Sequence, residues 1–328
     1  MYRAFDELED PLWEMLSSVK RPSRYTGGEW GADGGRSMGA ERVSLCLAFP
    51  DVYEVGMSYL GFQVLYDLAS KTPGVRVERV YCPWPDAESF IREKGMVLRS
   101  LETGKPLYSF DVVGFTLQYE LAATNILTML DLGGIPLRAS ERGEGSPLVV
   151  AGGPGAFAPE PLAPFFDAFC VGDGELLLPD LLSLFPRKGR PREELLEELS
   201  KIDGFYVPAF HGGGAVRGRV LMDLDRGFIP SGMIVPSSEI VHDRAAVEVF
   251  RGCTRGCRFC QAGMISRPLR ERSPEVVAGA AMELLERTGY DEVGLVSLAT
   301  CDYSGIEKVV DLLGPQLRER KFRLSLPS

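Results

Sequence analysis

Three closely spaced cysteines are the residues of this chain most suited to chemistry. In the segment RGCTRGCRFCQAG, three residues separate Cys253 from Cys257 and two separate Cys257 from Cys260. Three thiolates in one tight loop can hold a [4Fe–4S] cluster and leave its fourth iron open, whereas ferredoxin-type clusters take four cysteines. An open iron can bind a ligand that is transformed there. Gly252 and Gly256 favour this interpretation, because glycine tolerates the positive-φ turns that wrapping a bulky cofactor requires.

Two other interpretations of the loop are a zinc site and a set of buried thiols without metal. A zinc ion would need Cys301 or His242 as its fourth ligand, and structural zinc sites favour paired CxxC or Cys/His knuckles. Inert structural thiols belong in apolar surroundings, not in a loop rich in arginine and glycine. We therefore predict that Cys253, Cys257 and Cys260 are ligands of one open iron–sulfur cluster.

The spacing of the cysteines, with Phe259 before the last of them, resembles the signature of the radical S-adenosylmethionine (SAM) enzymes. The resemblance implies that the open iron chelates the amino and carboxylate groups of SAM. An electron from the cluster then cleaves the sulfonium to a 5′-deoxyadenosyl radical. It also implies that Phe259 lies near the SAM adenine, with core packing as the alternative role for this ring. An electron donor such as a flavodoxin or a ferredoxin is the expected partner.

Two further sets of residues follow from the same resemblance. The segment Ser297-Leu298-Ala299-Thr300 occupies the place where the family holds the amino group of SAM. Many members have Gly-Gly-Glu there; this segment has no acid, so the hydroxyls of Ser297 and Thr300 and backbone carbonyls are expected to serve. Arg267, Arg270 and Arg272 are candidates for the SAM carboxylate or a substrate phosphate, since a guanidinium binds such groups bidentately, and Arg270 is the one that we choose. The alternative is that Arg270 and the nearby Arg267 and Arg272 are solvated charges.

Composition excludes several classes of protein. The 328 residues carry 36 basic and 46 acidic side chains, a net charge of −10, which argues against non-specific nucleic-acid binding by the whole surface. No apolar run is long enough to span a membrane, and the acidic N-terminus is unlike a signal peptide. Seven cysteines, three of them in the loop, fit a reducing cytoplasm better than a disulfide framework. We expect a cytoplasmic protein.

Alternating apolar strands and helical segments predict an α/β fold for residues 41–185. Such a pattern indicates βαβ units and a parallel sheet of the flavodoxin-like or Rossmann-like kind. A helix over residues 1–20 and a Gly-rich leader to residue 40 precede it. Ligands of these sheets bind outside the carboxyl ends of the strands, so the loops that follow the strands are the places where a site is expected.

Those loops resemble a cobalamin (B12)-binding domain. The family sequence Asp-x-His-x-x-Gly is represented by Asp51, Tyr53 and Gly56, its Ser-x-Leu by Thr116, and its Gly-Gly by Gly152 and Gly153. The resemblance implies that the small residues admit the nucleotide tail of cobalamin. Tyrosine in place of histidine implies that cobalt has no protein imidazole on its lower face, because a neutral phenol is a poor ligand. The alternative is a flavodoxin-like domain that binds no cobalamin.

The remaining chain is predicted as a connector, residues 186–244, and the first part of a radical SAM (β/α) barrel, residues 245–328. A strand over 245–250 enters the cysteine loop, and two helices and two further strands follow. Barrels of this kind place their chemistry at the carboxyl ends of the strands. The family's barrels usually have about six such units, fewer than the eight of a TIM barrel, so we expect a further C-terminal segment or a partner chain to complete this one.

The predicted function is that of a radical SAM enzyme with a [4Fe–4S] cluster, SAM and cobalamin as cofactors. Methyl transfer or a related radical modification is the reaction that the resemblance implies, on a substrate that the sequence does not identify. The alternative is a non-catalytic redox or cofactor sensor, whose cluster responds without turnover. Formation of 5′-deoxyadenosine from SAM separates the two.

Overall fold

The computed structural model describes residues 11–32, 39–186 and 189–326, which belong to two compact units. Unit 1 comprises Met1–Arg219 and Pro236–Val241, and unit 2 comprises Val220–Val235 and His242–Ser328. The segment predicted as a connector is therefore divided between the two units. Residues 1–10 of the predicted first helix and residues 33–38 of the leader lie outside the described residues.

Unit 1 is built on a six-stranded sheet with the order β2-β1-β3-β4-β5-β6. Its first five strands are parallel, and β6 is antiparallel to β5. The strands are β1 (Val43–Phe49), β2 (Val75–Tyr81), β3 (Val112–Thr116), β4 (Leu148–Gly152), β5 (Ala168–Cys170) and β6 (Phe205–Tyr206). The prediction of an α/β fold with a mainly parallel sheet is confirmed. The order 2-1-3-4-5 places the topological switch point between β1 and β3.

Helices alternate with most of these strands, as the sequence predicts, whereas β4 and β5 are joined by 3-10 turns. The helices are α1 (Pro11–Ser18), α2 (Tyr53–Met57), α3 (Leu60–Ser70), α4 (Pro85–Glu93), α5 (Ala123–Leu132), α6 (Gly174–Ser183), α7 (Arg192–Ser200) and α8 (Pro208–His211). All seven residues of β1 are buried, as expected of a central parallel strand whose two faces are both covered. The carboxyl ends of β1 and β3 thus have a rigid support.

Unit 2 contains a three-stranded parallel sheet with the order β11-β10-β7 and a separate two-stranded antiparallel pair. The strands are β7 (Ala245–Glu248), β8 (Phe250–Arg251), β9 (Arg270–Glu271), β10 (Glu292–Val296) and β11 (Arg323–Ser325). The strand predicted over 245–250 is thus interrupted at Val249. Its second part, β8, leaves the parallel sheet and pairs with β9.

Three helices complete unit 2: α9 (Ala262–Ile265), α10 (Pro274–Thr288) and α11 (Ile306–Arg320). Helix α10 connects β7 to β10 and α11 connects β10 to β11, so the parallel strands alternate with helices. Gly289 ends α10 with a φ of +74°, a conformation that glycine adopts without steric cost. Within the described ranges, no helix is long and apolar enough to cross a membrane.

Candidate functional site

The cysteine loop is held at its base by the pairing of β8 with β9. Phe250 lies opposite Glu271 and Arg251 opposite Arg270, so residues 252–269 leave and return at the same point. This point follows the carboxyl end of β7, where α/β barrels carry their functional loops. Gly252 and Gly256 have φ angles of +92° and +65°. The positive-φ turns that the sequence predicted at these two glycines are therefore present.

The three thiols lie in surroundings that favour metal binding. Cys257 is exposed, and Cys253 and Cys260 are partly buried. The backbone N–H of Arg255 donates to the Cys253 sulfur at 3.5 Å, and that of Gly263 donates to the Cys260 sulfur at 3.4 Å. Two of the three sulfurs thus accept backbone N–H groups of the loop itself.

Gly263 brings two of the cysteines into one small region. A Cβ atom at Gly263 would lie 3.7 Å from the Cys260 sulfur and 3.8 Å from the Cys253 Cβ. In the part of the chain that the structure describes, no group of three or more His, Cys, Asp or Glu side chains is gathered to hold a single metal ion. A [4Fe–4S] cluster is larger and takes each cysteine on a different iron. Three accessible thiols in one loop, two of them with N–H donors, fit such a cluster.

Phe259 is 92% exposed, so its alternative role as a core residue is wrong. An aromatic ring in water between two cysteines has its whole face available to a planar ligand. Its contact with the SAM adenine stays a prediction.

The turn after β10 carries the two hydroxyls that the sequence singled out. Thr300 is only 1% exposed, and its hydroxyl lies 3.0 Å from the Ser297 hydroxyl and 3.4 Å from the Leu295 carbonyl oxygen. Ser297 is half-buried and also accepts the N–H of Ala299 at 3.3 Å. Thr300 is therefore turned into the unit, and Ser297 is the more accessible of the two.

An acid that the sequence analysis missed lies in the same turn. The Asp302 carboxylate accepts two hydrogen bonds from the Arg255 guanidinium, with a distance of 2.7 Å from Nε to Oδ2. Arg255 belongs to the cysteine loop, so this ion pair joins the loop to the carboxyl end of β10. The signal available in the sequence was an acid two residues beyond Thr300.

The arginines that follow the loop have different surroundings. Arg270 is buried and donates at 3.0 Å to each of three carbonyl oxygens, those of Pro268, Leu221 and Ser266. The guanidinium of Arg270 is thus already engaged by carbonyl oxygens. The assignment of Arg270 to SAM has no support in this geometry and stays a prediction. Arg267 is exposed and donates its Nε proton to the Gly263 carbonyl at 3.2 Å.

In unit 1, Asp51 and Tyr119 meet at the switch point between β1 and β3. Asp51 follows β1 and binds the N–H of Val52 with one oxygen at 2.7 Å. Its other oxygen accepts the Tyr119 hydroxyl at 2.7 Å. Hydrogen bonding to the carboxylate, followed by burial, raises the pKa of Tyr119, so the phenol remains the donor. The edge where such sheets bind ligands is thus bridged by a side-chain hydrogen bond.

Tyr53 has surroundings that differ from those expected of a residue below a cobalt ion. It is 1% exposed and donates its hydroxyl to Glu29 of the N-terminal leader at 2.9 Å. Burial, followed by the Glu29 charge, raises the pKa of Tyr53 far above its ordinary value. The phenol is therefore neutral and engaged. Contact with a corrin ring stays a prediction.

The glycines of this edge make close contacts with the chain itself. A Cβ at Gly56 would lie 2.3 Å from the Tyr81 ring, so this glycine lets α2 approach the sheet. Gly153, with φ of +99°, would place a Cβ 2.8 Å from the Leu117 carbonyl oxygen. Gly152 meets only the Cys170 Cβ, at 3.6 Å, and pairs in register with the buried Thr116. Thr116 and Gly152 are thus brought together, while the space at Gly153 is filled by the loop after β3.

A family model described as radical SAM proteins, N-terminal, matches residues 61–208, and the radical SAM superfamily model matches residues 247–326. The chain is thus similar to radical SAM proteins over one segment of unit 1 and one segment of unit 2.

A curated relative and two solved structures add to the comparison. The chain is 24% identical over 275 residues to an uncharacterised protein of Methanocaldococcus jannaschii, covering 82% of this chain and 52% of that protein. It also resembles TsrM, a radical SAM methyltransferase from Kitasatospora setae. The structure with tryptophan and a SAM analogue has a TM-score of 0.53 at 16% identity, covering 85% of this chain and 51% of TsrM. The structure with cobalamin and a [4Fe–4S] cluster has a TM-score of 0.54 at 15% identity, covering 87% and 52%.

The likeness to TsrM concerns the fold, because the sequences are only distantly related. This chain spans about half the length of each of these proteins.

Proposed function

We propose that this chain binds a [4Fe–4S] cluster and SAM as part of a radical SAM enzyme, with cobalamin as a second cofactor for methyl transfer or a related modification. The observation that carries the proposal is the cysteine loop at the carboxyl end of β7, in which two of the three sulfurs accept backbone N–H groups. When bound, the cluster supplies one electron to the sulfonium of SAM.

The residues around the loop have separate tasks in this proposal. Cys253, Cys257 and Cys260 hold the cluster. The exposed ring of Phe259 is available to the adenine of SAM. Ser297 binds the amino group together with backbone carbonyls, and Thr300 fixes the Ser297 hydroxyl through their 3.0 Å contact.

We place the SAM carboxylate at Arg267 in preference to Arg270. Arg267 is exposed, whereas Arg270 uses its guanidinium on three carbonyl oxygens inside unit 2. Moving Arg270 would break three hydrogen bonds to partly buried carbonyl oxygens, each of which contributes about 0.5–1.5 kcal/mol. Arg267 loses only one bond to a carbonyl if it turns toward a ligand.

Cobalamin is assigned to the carboxyl edge of the sheet in unit 1. The support is the pairing of Thr116 with Gly152 at that edge and the likeness in fold to a TsrM structure that contains cobalamin. In the present conformation Tyr119 closes the switch point by its bond to Asp51, and Leu117 fills the space at Gly153. Binding would require the loop 117–119 to move.

The central experiment is anaerobic reconstitution with iron and sulfide, followed by incubation with SAM and dithionite. We expect 5′-deoxyadenosine by mass spectrometry from the wild-type chain and none from Cys257→Ala. A cluster that is reduced without any 5′-deoxyadenosine would contradict the enzymatic proposal and favour the redox sensor.

A separate measurement tests the second cofactor. Hydroxocobalamin should remain with the chain through gel filtration and be visible in its absorbance. Loss of all cobalamin from a chain that still produces 5′-deoxyadenosine would remove cobalamin from the proposal and leave the SAM chemistry intact.

A further inference from the structure

The ion pair between Arg255 and Asp302 places a fixed charge beside the cysteine loop. Arg255 lies between Cys253 and Cys257 in the chain, and its guanidinium binds the Asp302 carboxylate through two N–H groups. Its backbone N–H donates to the Cys253 sulfur. One residue thus contributes both a dipole and a positive charge next to thiols that hold the cluster.

Both members of the pair carry a full charge at neutral pH, because the ordinary pKa values of arginine and aspartate lie far from 7. Two N–H groups of the guanidinium on the Asp302 carboxylate hold these charges together. The loop is therefore exposed to a dipole made of two full charges.

Stabilisation of the fold is a poor explanation for the Arg255–Asp302 pair. The Arg255 side chain is 64% exposed and that of Asp302 is 33% exposed, and exposed pairs contribute little to folding because water screens them. The neighbouring arginines are used differently. Arg270 binds carbonyl oxygens, and Arg251 binds Glu248 at 2.8 Å.

We propose that the Arg255–Asp302 pair tunes the reduction potential of the cluster, with Arg255 raising the potential and Asp302 limiting that rise. The inference depends on the proposed function, because it concerns the cluster held by the three cysteines. Reduction adds one electron from an external low-potential donor and makes the cluster more negative. A nearby cation favours the reduced form and a nearby carboxylate disfavours it.

The test is a redox titration of the reconstituted chain without SAM, monitored by electron paramagnetic resonance of the reduced cluster. Arg255→Gln leaves the carboxylate alone and should lower the potential. Asp302→Asn leaves the guanidinium alone and should raise it. The double variant should lie near the wild type. At one fixed potential we expect the reduced-to-oxidised ratio to change up to about tenfold in each single variant, which corresponds to ~59 mV for one electron.

Two controls separate tuning from general damage. Arg323→Gln removes a similarly exposed partner of Asp291, at the opposite end of the parallel sheet, and should leave the potential unchanged. The shifts should also shrink near 1 M salt, where the screening length falls to about 3 Å. Iron and sulfide contents are measured for every variant.

Opposite shifts in the two single variants, with unchanged iron content, would support the inference. Unchanged potentials, shifts of the same sign, or loss of the cluster from either single variant would overturn it and leave the pair a structural contact. A wild-type chain that holds no cluster would overturn the proposed function together with this inference. Unchanged reduction potentials in variants that contain the cluster would overturn the inference alone.

Discussion

Replacing Arg79 with Met should destabilise unit 1 strongly, because Arg79 lies between two buried carboxylates. Its Nη2 is 2.8 Å from Glu29 and its Nε is 2.6 Å from Glu102, and all three side chains are 1% exposed. Removing one member of a buried ion pair typically costs about 3–5 kcal/mol, since the remaining charge stays buried without a partner. With an m-value of about 2–3 kcal/mol/M, the urea midpoint should fall by roughly 1–2.5 M.

Tryptophan fluorescence measures this effect in unit 1 alone. The chain has three tryptophans, and all of them, Trp13, Trp30 and Trp84, belong to unit 1. Arg92→Met is a matched control, because Arg92 binds Glu88 and Asp131 at the surface with 46% of its side chain exposed. An exposed pair contributes about 0–1 kcal/mol, so the midpoint of this variant should change by less than about 0.5 M.

The loss of stability in Arg79→Met should also depend on pH, because Arg79 shifts the pKa of both buried carboxyls. In the wild type, burial raises the pKa of Glu29, but the charge and hydrogen bond of Arg79 outweigh burial and lower it. Burial prevails at Glu102 and raises its pKa. In Arg79→Met both carboxyls should have folded pKa values above the unfolded value of about 4.3.

The sign of the effect follows from these shifts. Below the unfolded pKa both carboxyls of the variant are neutral in either state and carry no charge penalty, and the penalty grows as the pH rises. In the wild type, the lowered pKa of Glu29 stabilises the fold at neutral pH, and this contribution to the free energy of unfolding is lost as the pH falls and Glu29 is protonated. The difference in urea midpoint between Arg79→Met and the wild type should be largest near pH 7 and smallest near pH 4. Equal midpoints for Arg79→Met and Arg92→Met, or a deficit independent of pH, would refute the reasoning.

Three further predictions concern the cofactor sites. Cys301→Ala should retain the brown absorbance and the iron content, because Cys301 is exposed outside the loop, whereas Ala at any loop cysteine should abolish both; loss of the cluster from Cys301→Ala would indicate a fourth cysteine ligand. Bound cobalamin should be base-off, with no nitrogen splitting in the Co(II) electron paramagnetic resonance spectrum, because the Tyr53 phenol is neutral and engaged by Glu29; nitrogen splitting would contradict this. Gly252→Ala should lower cluster loading severalfold, since its φ is +92° and a Cβ would lie 2.6 Å from the Pro268 carbonyl oxygen. Gly279→Ala is the control, because space is open there and alanine stabilises a helix by about 0.5–1 kcal/mol; equal loading in both variants would refute the prediction for Gly252.

Features carried by short stretches of sequence were predictable from the sequence. The cysteines lie within eight consecutive positions, 253 to 260, so their common loop follows from chain connectivity alone. The apolar runs of β1 to β5 predicted a parallel sheet because its central strands are buried on both faces. Gly252 and Gly256 predicted turns, since few other residues adopt a positive φ.

Contacts between distant positions were decided by the tertiary structure alone. Asp302 reaches Arg255 across 47 positions and Glu29 reaches Tyr53 across 24, and neither pairing follows a local period. The tertiary structure also decides that Leu117 fills the space at Gly153. It likewise decides that Arg270, predicted to contact a ligand, binds carbonyl oxygens of its own unit. Residue type shows which bonds a side chain can form, but strand register and loop packing decide which partner it meets, and these depend on the whole fold.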